Sequence, residues 1–379
     1  MRVTIVVTHL LGTGHLARAL TLGRAFVAAG DHVTVLSGGR PVPHFDSAGI
    51  EVIQLPPLRS NGTDFATLLT GEGARADADY LARRQTFLVD RTLASAPDVL
   101  ITELFPFGRR ILGAEFRAML DAVAKVPDRP LVLSSVRDIL APPSKPSKVE
   151  LAEDIIDRFY DAVLVHSDPD IVPLDRSWPV SDRLRPKLHF TGFVAPQPPP
   201  LEVPLRPEVL VSAGGGPEIG DVLFRAACAA AASDPALAWR MRVGGSAARR
   251  KTLAASAPPN MSVEAPQPDF RTLLAGAAVS VSMCGYNTAL DILQTGVPAV
   301  LIPFDDGAEV EQSLRADALA ALPSVIVIRQ ADLTGSGLAD AVRRLARSDR
   351  RPAHTTGMEG AARSVALART LRAGRTDED

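Results

Sequence analysis

SMCGYNTALDILQTGVPAVLIPF, residues 282–304, is the stretch on which the fold turns. An apolar run ends at Met283, and Gly285 follows, which allows an unusual backbone angle. Asn287 or Thr288 then caps a helix, Gly296 closes it, and Pro298 opens the next strand. Strand, glycine turn, helix and strand in immediate succession make a βαβ unit, which builds parallel sheets.

The same pattern runs outward in both directions. Upstream are VTIVVTH (3–9), HVTVLSG (32–38), DVLITEL (98–104), PLVLSSV (130–136), DAVLVHS (161–167) and KLHFTGF (187–193). A second series holds EVLVSAGG (208–215), WRMRVGG (239–245), AVSVSMCG (278–285), PAVLIPF (298–304) and SVIVIRQ (324–330). These runs are continuously apolar, as strands covered on both faces are. Between the two series lies APQPPPLEVP (195–204), where proline removes backbone donors and stiffens the chain. The expected organisation is a Rossmann-like domain over 1–195, a linker over 196–205 and a second such domain over 206–356. A C-terminal helix within 357–379 is expected to complete the first. Residues 56–76 and 141–148 read as loops at strand ends.

Bulk properties narrow the function classes. The chain has 379 residues, 46% hydrophobic and 22% charged, with a formal net charge of -2. That is ordinary globular composition with material for two cores, and it offers no basic surface for nucleic acid. The two cysteines, Cys228 and Cys284, lack metal-ligand spacing and fit a reducing compartment, so the expected location is cytoplasmic. The uncharged stretch from Thr272 to Leu290 contains glycines, hydroxyl residues and Asn287, and reads as helix end, strand and turn rather than as a membrane span. Peripheral contact with a membrane surface stays compatible with this reading, and the Leu- and Phe-rich run from Leu104 to Phe107 is a surface that a lipid-linked acceptor could meet.

Three glycine turns carry the chemistry. Gly12-Thr13-Gly14 precedes His15 at the end of the first strand, and a helix follows whose inward stripe is Leu16, Ala19, Leu20, Gly23 and Phe26. Arg18 and Arg24 are expected on its opposite side. A helix start behind glycines binds anions, and His15 has the pKa range of a general base. No acidic residue ends the second strand at Ser37-Gly38-Gly39, which counts against a dinucleotide enzyme. Gly214-Gly215-Gly216-Pro217 is a further anion cradle, without the Lys-Ser or Lys-Thr of a Walker loop. In the stretch quoted first, Asp291 sits about one turn into its helix, where a carboxylate complements the dipole or accepts hydrogen bonds from a ribose diol. Glu311-Gln312 opens a later helix, and such a pair suits sugar hydroxyls.

Together these segments resemble the two-domain GT-B glycosyltransferases, and most of all glycosyltransferase family 28, the group of the peptidoglycan UDP-N-acetylglucosamine transferase. GTGHLARAL is similar to that family's first glycine turn, with one glycine fewer before His15. SMCGYNTALDILQTGVPAVLIPF followed by EQSLRA is the stronger likeness. Where the family carries serine and glutamine, this sequence has Gly216 and Pro217. ITELFPFGRR (101–110) and SSVRDIL (134–140) are similar to runs in an uncharacterised bacterial branch of predicted glycosyltransferases.

The resemblance implies an α/β, GT-B architecture: two doubly wound parallel-sheet domains facing across a cleft. It implies transfer of a hexose or N-acetylhexosamine from a UDP-sugar to an acceptor hydroxyl, inverting and metal-independent, with no cofactor beyond the co-substrate. Gly214, Gly215, Gly216, Ala265, Gly285, Asn287, Thr288 and Asp291 would hold the nucleotide, Glu311 and Gln312 the sugar, and Gly12, Thr13 and Gly14 a diphosphate. His15 and Glu103 would be catalytic, and Arg109, Arg137 and Asp138 would face an acceptor of glycan, lipid-linked or small-molecule type. A nucleotide-sugar hydrolase of the same fold, with a histidine that activates water, is the alternative; a non-catalytic nucleotide-sugar-binding subunit is a further one.

Overall fold

A computed structural model describes residues 1–43, 45–61, 64–199, 203–213, 220–267, 269–305 and 310–376. The chain divides into two compact units, Met1–Pro196 together with the chain from Gly357 onward, and Gln197–Thr356.

The first unit contains β1 (Arg2–Val7), α1 (Gly14–Ala28), β2 (His32–Ser37), β3 (Ile50–Gln54), β4 (Leu58–Asn61), β5 (Asp64–Thr70) and α2 (Ala78–Ala94). It continues through β6 (Val99–Glu103), α3 (Gly113–Val123), β7 (Leu131–Arg137), α4 (Pro146–Phe159), β8 (Ala162–His166) and β9 (Leu188–Phe190). Seven strands form one parallel sheet in the order β3-β2-β1-β6-β7-β8-β9. Every residue of β6 and β8 is buried, the reason those runs carry no polar alternation. One face of the sheet packs around Phe105, Phe116, Leu120 and Trp178, the other around Leu20, Phe26, Ile101 and Leu133.

The second unit runs β10 (Arg206–Ser212), α5 (Asp221–Ser233), β11 (Ala238–Arg242), α6 (Ala247–Ser256), β12 (Met261–Glu264), α7 (Phe270–Gly276), β13 (Ala277–Ser282) and α8 (Tyr286–Thr295). It ends with β14 (Ala299–Leu301), α9 (Glu311–Leu319), β15 (Val325–Val327) and α10 (Gly335–Leu345). Its six strands are also all parallel, ordered β12-β11-β10-β13-β14-β15.

The last helix, α11 (Gly360–Thr376), returns to the first unit, where Val365 and Ala368 join the core beneath α1. Its entry is fixed by close backbone approach. Phe193 donates its amide to the Gly357 carbonyl and accepts from the Gly360 amide at 2.9 Å. A Cβ on Gly192 would strike Gly357, and one on Gly360 would strike Gly192, so only glycines fit.

The eleven anticipated strands all form, with ends shifted by a residue or more. Three corrections concern loops. Residues 56–76 are not a plain loop: β4 and β5 pair antiparallel, because Leu58 and Leu68 are buried while Leu58 and Ser60 bond the carbonyls of Gly38 and Leu10. The 141–148 loop ends early, since Pro146 takes the first turn of α4. Strands β3 and β12 were not anticipated; both lie at sheet edges and are partly exposed. Among the described residues no helix is long and apolar enough to cross a membrane.

Candidate functional site

In a doubly wound sheet ligands bind beyond the carboxyl ends of the strands, where the strand order reverses. In the first unit that point lies between β1 and β6. The chain leaving β1 reaches α1, whose second residue is His15, and β6 ends on Glu103. His15 Nδ1 and Glu103 Oε1 are 2.8 Å apart, with side chains 14% and 2% exposed. Arg18, one turn after His15, is buried and ion-paired to the same carboxylate oxygen. This corrects the expectation that Arg18 points away from the core: the i, i+3 spacing places it beside His15, where Glu103 balances its charge. Arg24 does lie toward the surface, bonding the Asp46 carbonyl.

The electrostatics fix the tautomer. Burial opposes ionisation of Glu103, but the hydrogen bond from His15 and the charges of Arg18 and Arg109 outweigh it and hold the carboxyl well below its usual range. Burial lowers the pKa of His15; Glu103 works against this, while Arg109 and Arg137 add to it. A neutral imidazole facing a carboxylate must carry its proton on Nδ1, which leaves the Nε2 lone pair as the acceptor. The chemistry available is that of a general base.

The surrounding groups come from neighbouring strand ends. His166, the last residue of β8, is fully buried between Ser135 Oγ and Thr191 Oγ1, each at 2.8 Å, and burial pushes its pKa down to about 3. Arg109 has a left-handed backbone at φ 56°, as does Leu104 at φ 66°. These two residues bracket the turn Leu104–Arg109 that follows β6. Its apolar side chains are not a surface, contrary to the reading of that run as a lipid contact. Leu104, Phe105 and Phe107 are buried, with Phe105 stacked on Phe116 at 4.5 Å and Phe107 edge-on to Trp178 at 5.1 Å. Arg137 ends β7, and the adjacent Asp138 is buried, its Oδ1 accepting from the Ile139 amide at 2.8 Å. Thr13 is the N-cap of α1 without a side-chain cap bond, and a Cβ on Gly12 would meet nothing within 4 Å. Neither Gly12 nor Gly14 has a positive φ, so this turn leaves open space without requiring a special backbone angle.

In the second unit the order reverses between β10 and β13. Gly214, Gly215 and Gly216, which follow β10, lie outside the described residues. The turn after β13 is held from α9 in the manner of a clamp. Gln312 Oε1 accepts from the Cys284 amide at 3.0 Å and from the Phe304 amide at 3.1 Å. The buried Arg315 donates to the Cys284 carbonyl at 2.9 Å. Gly285 is the N-cap of α8 at φ -66°, ψ 158°, an ordinary extended geometry, so the unusual angle that a glycine allows is not used there. Asn287 and Thr288 therefore do not cap the helix; they lie in its first turn, among amides that have no intrahelical partner. A Cβ on Gly285 would also meet nothing within 4 Å, so the helix start opens on free space. Gly296 closes α8 in the left-handed conformation at φ 67°.

Asp291 is buried, and its Oδ1 accepts from Arg271 Nε of α7 at 2.7 Å. Arg271 also bonds Gln294 and the Gln197 carbonyl. Burial raises the Asp291 pKa to about 6, with Arg271 pulling the other way. Sequence reasoning missed Arg271, as no local pattern ties it to an acid twenty residues on. Glu311 begins α9 and is buried; Ala265, after β12, has its carbonyl engaged by Arg242 Nη1 at 2.9 Å.

The chain has relatives in its C-terminal part. Residues 250–370 match the glycosyltransferase family 28 C-terminal domain. The UDP-N-acetylglucosamine--N-acetylmuramyl-(pentapeptide) pyrophosphoryl-undecaprenol N-acetylglucosamine transferase of Brucella melitensis biotype 2 (strain ATCC 23457) is 33% identical over 118 residues, 29% of this chain and 31% of the relative. The match thus spans about a third of that relative's length. Acinetobacter baumannii MurG has a similar structure at TM-score 0.58 and 16% identity, covering 98% of this chain and 100% of its own. The calicheamicin glycosyltransferase CalG4 follows at TM-score 0.55 and 19% identity, over 100% and 97%. Spinosyn rhamnosyltransferase SpnG complexed with thymidine diphosphate gives TM-score 0.56 and 18% identity, over 100% of both chains. The chain has the two-domain GT-B fold along its whole length, and its residues 250–370 are similar to the glycosyltransferase family 28 C-terminal domain.

Proposed function

We propose that the protein is a glycosyltransferase that moves a hexose or N-acetylhexosamine from a UDP-sugar to an acceptor hydroxyl, with inversion and without a metal or other cofactor. The observation that carries this reading is the His15–Glu103 pair at the sheet's switch point, which leaves Nε2 unprotonated. In this mechanism Nε2 takes the acceptor's hydroxyl proton as that oxygen attacks the anomeric carbon. The bond to the donor diphosphate breaks on the opposite side, and a single displacement inverts the anomer. The amides at the start of α8 meet the charge that develops on the diphosphate.

The donor contacts follow from which atoms are already committed. Gln312 Oε1 serves two backbone amides, so its Nε2 hydrogens are the group offered to a sugar hydroxyl. Glu311 stands beside it, and Asp291 receives the ribose while retaining Arg271. On the acceptor side Arg109 and Arg137 are the candidates, since Asp138 is turned into its own chain. The acceptor class extends to glycans, lipid-linked sugars and small molecules. In this reading the protein works in the cytoplasm, at the inner face of the membrane where the acceptor is lipid-linked.

The test is incubation with a panel of nucleotide-sugars, with and without lysate-derived acceptors, following nucleotide release. Release only with acceptor is the expected result. Release without acceptor would instead make the protein a hydrolase, and binding without turnover a non-catalytic subunit. No thermal shift with any uridine or thymidine nucleotide would overturn the reading.

A further inference from the structure

Glu103 is a buried carboxylate that uses one oxygen for two partners. His15 Nδ1 and Arg18 Nη2 both converge on Oε1, whereas Oε2 is buried with no hydrogen-bond partner among the described residues. Among the described residues these two are the hydrogen-bond partners that hold the Glu103 carboxylate, and of the two only Arg18 is a permanent cation. Arg18 shares the helix with His15 one turn away, and its side chain is 2% exposed. The helix therefore presents a base and the cation that anchors the base's partner on one face. A carboxylate so held stays ionised and accepts the Nδ1 proton, which directs the lone pair of Nε2 outward.

We propose that Arg18 is the positioning residue of this site: it locks Glu103 in the charge state and orientation that keep His15 in its Nδ1-protonated form. The inference rests on the proposed role of His15 as general base. It adds an arginine that neither touches substrate nor belongs to the pair itself. The ionisable groups that face His15 are Glu103 of β6, Arg109 of the turn beyond it and Arg137 of β7. His9 beyond β1 and His166 of β8 feel the same Glu103 charge, and both are held neutral by burial.

The experiment uses the full chain and the variants Arg18→Met and Arg18→Lys. Imidazole nitrogen–proton correlation spectra, with His15 assigned by His15→Gln, read its tautomer and titration directly and need no turnover. The wild type is expected to show the Nδ1–H tautomer through neutral pH. In Arg18→Met the loss of a cation lets His15 protonate at higher pH and mixes the tautomers. Turnover at neutral pH then falls by about a hundredfold, in the range of general-base effects, and its acid limb moves upward. Arg18→Lys keeps the charge and is expected to return the limb toward wild type. A folded Arg18→Met whose His15 tautomer and titration match the wild type would overturn the proposal, as would a wild-type His15 protonated on Nε2. If Arg18→Met does not fold, a wild-type titration in Arg18→Lys supports the assignment and a shifted one removes it. Failure of all turnover with the predicted tautomer shifts intact would refute the transferase reading and leave the Arg18 assignment standing.

Discussion

Replacing Glu103 by glutamine preserves the side chain's shape and removes its charge. In the proposed reaction His15 becomes an imidazolium in the transition state, 2.8 Å from the Glu103 oxygen. At an effective dielectric of about 20, two unit charges at that separation attract by roughly 6 kcal/mol, equivalent to about four decades in rate. Arg18 shares the oxygen and shields part of that field, so a loss between about a hundredfold and ten-thousandfold is expected. The amide also leaves Arg18 buried without its counter-charge, which costs about 3–5 kcal/mol of stability, so a melting curve must accompany each rate. The assay is nucleotide release from the donor–acceptor pair that the wild type turns over, with donor affinity measured separately by calorimetry. The expected pattern is a collapse of kcat with donor affinity unchanged. A folded Glu103→Gln protein that turns over within about threefold of wild type would show that no charge forms on His15, and the base assignment would fail.

Other residues give independent checks. Burial holds the His166 pKa at about 3 in the folded state against an ordinary 6.5, so the unfolded chain binds the extra proton between those values. Stability should be complete above about pH 6.5 and fall as the pH is lowered towards 3, by up to about 5 kcal/mol; urea unfolding of His166→Gln should show a shallower acid slope. Asp291 behaves in the opposite sense. Its folded pKa of about 6 lies above the ordinary 3.8, so the stability present at low pH is lost as the pH rises from about 4 to about 6 and stays lost above that. Asp291→Asn should accordingly unfold about 1–3 kcal/mol harder at pH 8 while losing uridine-nucleotide affinity; a less stable variant would mean that the Arg271 pair outweighs burial. Glu115, which receives Arg84 Nε at 2.9 Å and Nη2 at 3.1 Å inside the first unit, should cost about 3–5 kcal/mol in denaturant when changed to alanine.

The parts of the fold that could be read from the sequence are those where one residue type answers one physical demand. Strands β1, β6 and β8 are covered on both faces and so are mainly apolar, with Glu103 and His166 at the ends of the last two, and β13 leads into the stretch that sets the βαβ unit. Edge strands obey no such rule: β3 has Glu51 and Val52 exposed, and its pattern matches that of a loop. The β4–β5 hairpin lies in a segment whose composition reads as a loop. It was hidden by the proline and glycine around it.

The candidate site divides along the same line. His15 was legible because a glycine turn at a strand end is local, and Glu103 because it ends a strand. Arg18 was misplaced for a specific reason: a helical wheel assigns charge to the solvent side, and nothing within α1 says otherwise. Its counter-charge is 85 residues away, brought alongside only because β6 pairs with β1. Arg271 with Asp291, and Gln312 with the amides of Cys284 and Phe304, are joined in the same way across adjacent elements. Periodicity predicts which face of an element is buried when burial is apolar. It fails where burial is bought with charge, since a charged side chain enters a core only with a partner that the topology supplies. The strand order supplies such partners at the switch points between β1 and β6 and between β10 and β13. A buried arginine on a helix that leaves a switch point is thus better evidence of a working site than the glycines before it, since the glycines would suit any tight turn and the arginine suits only this one.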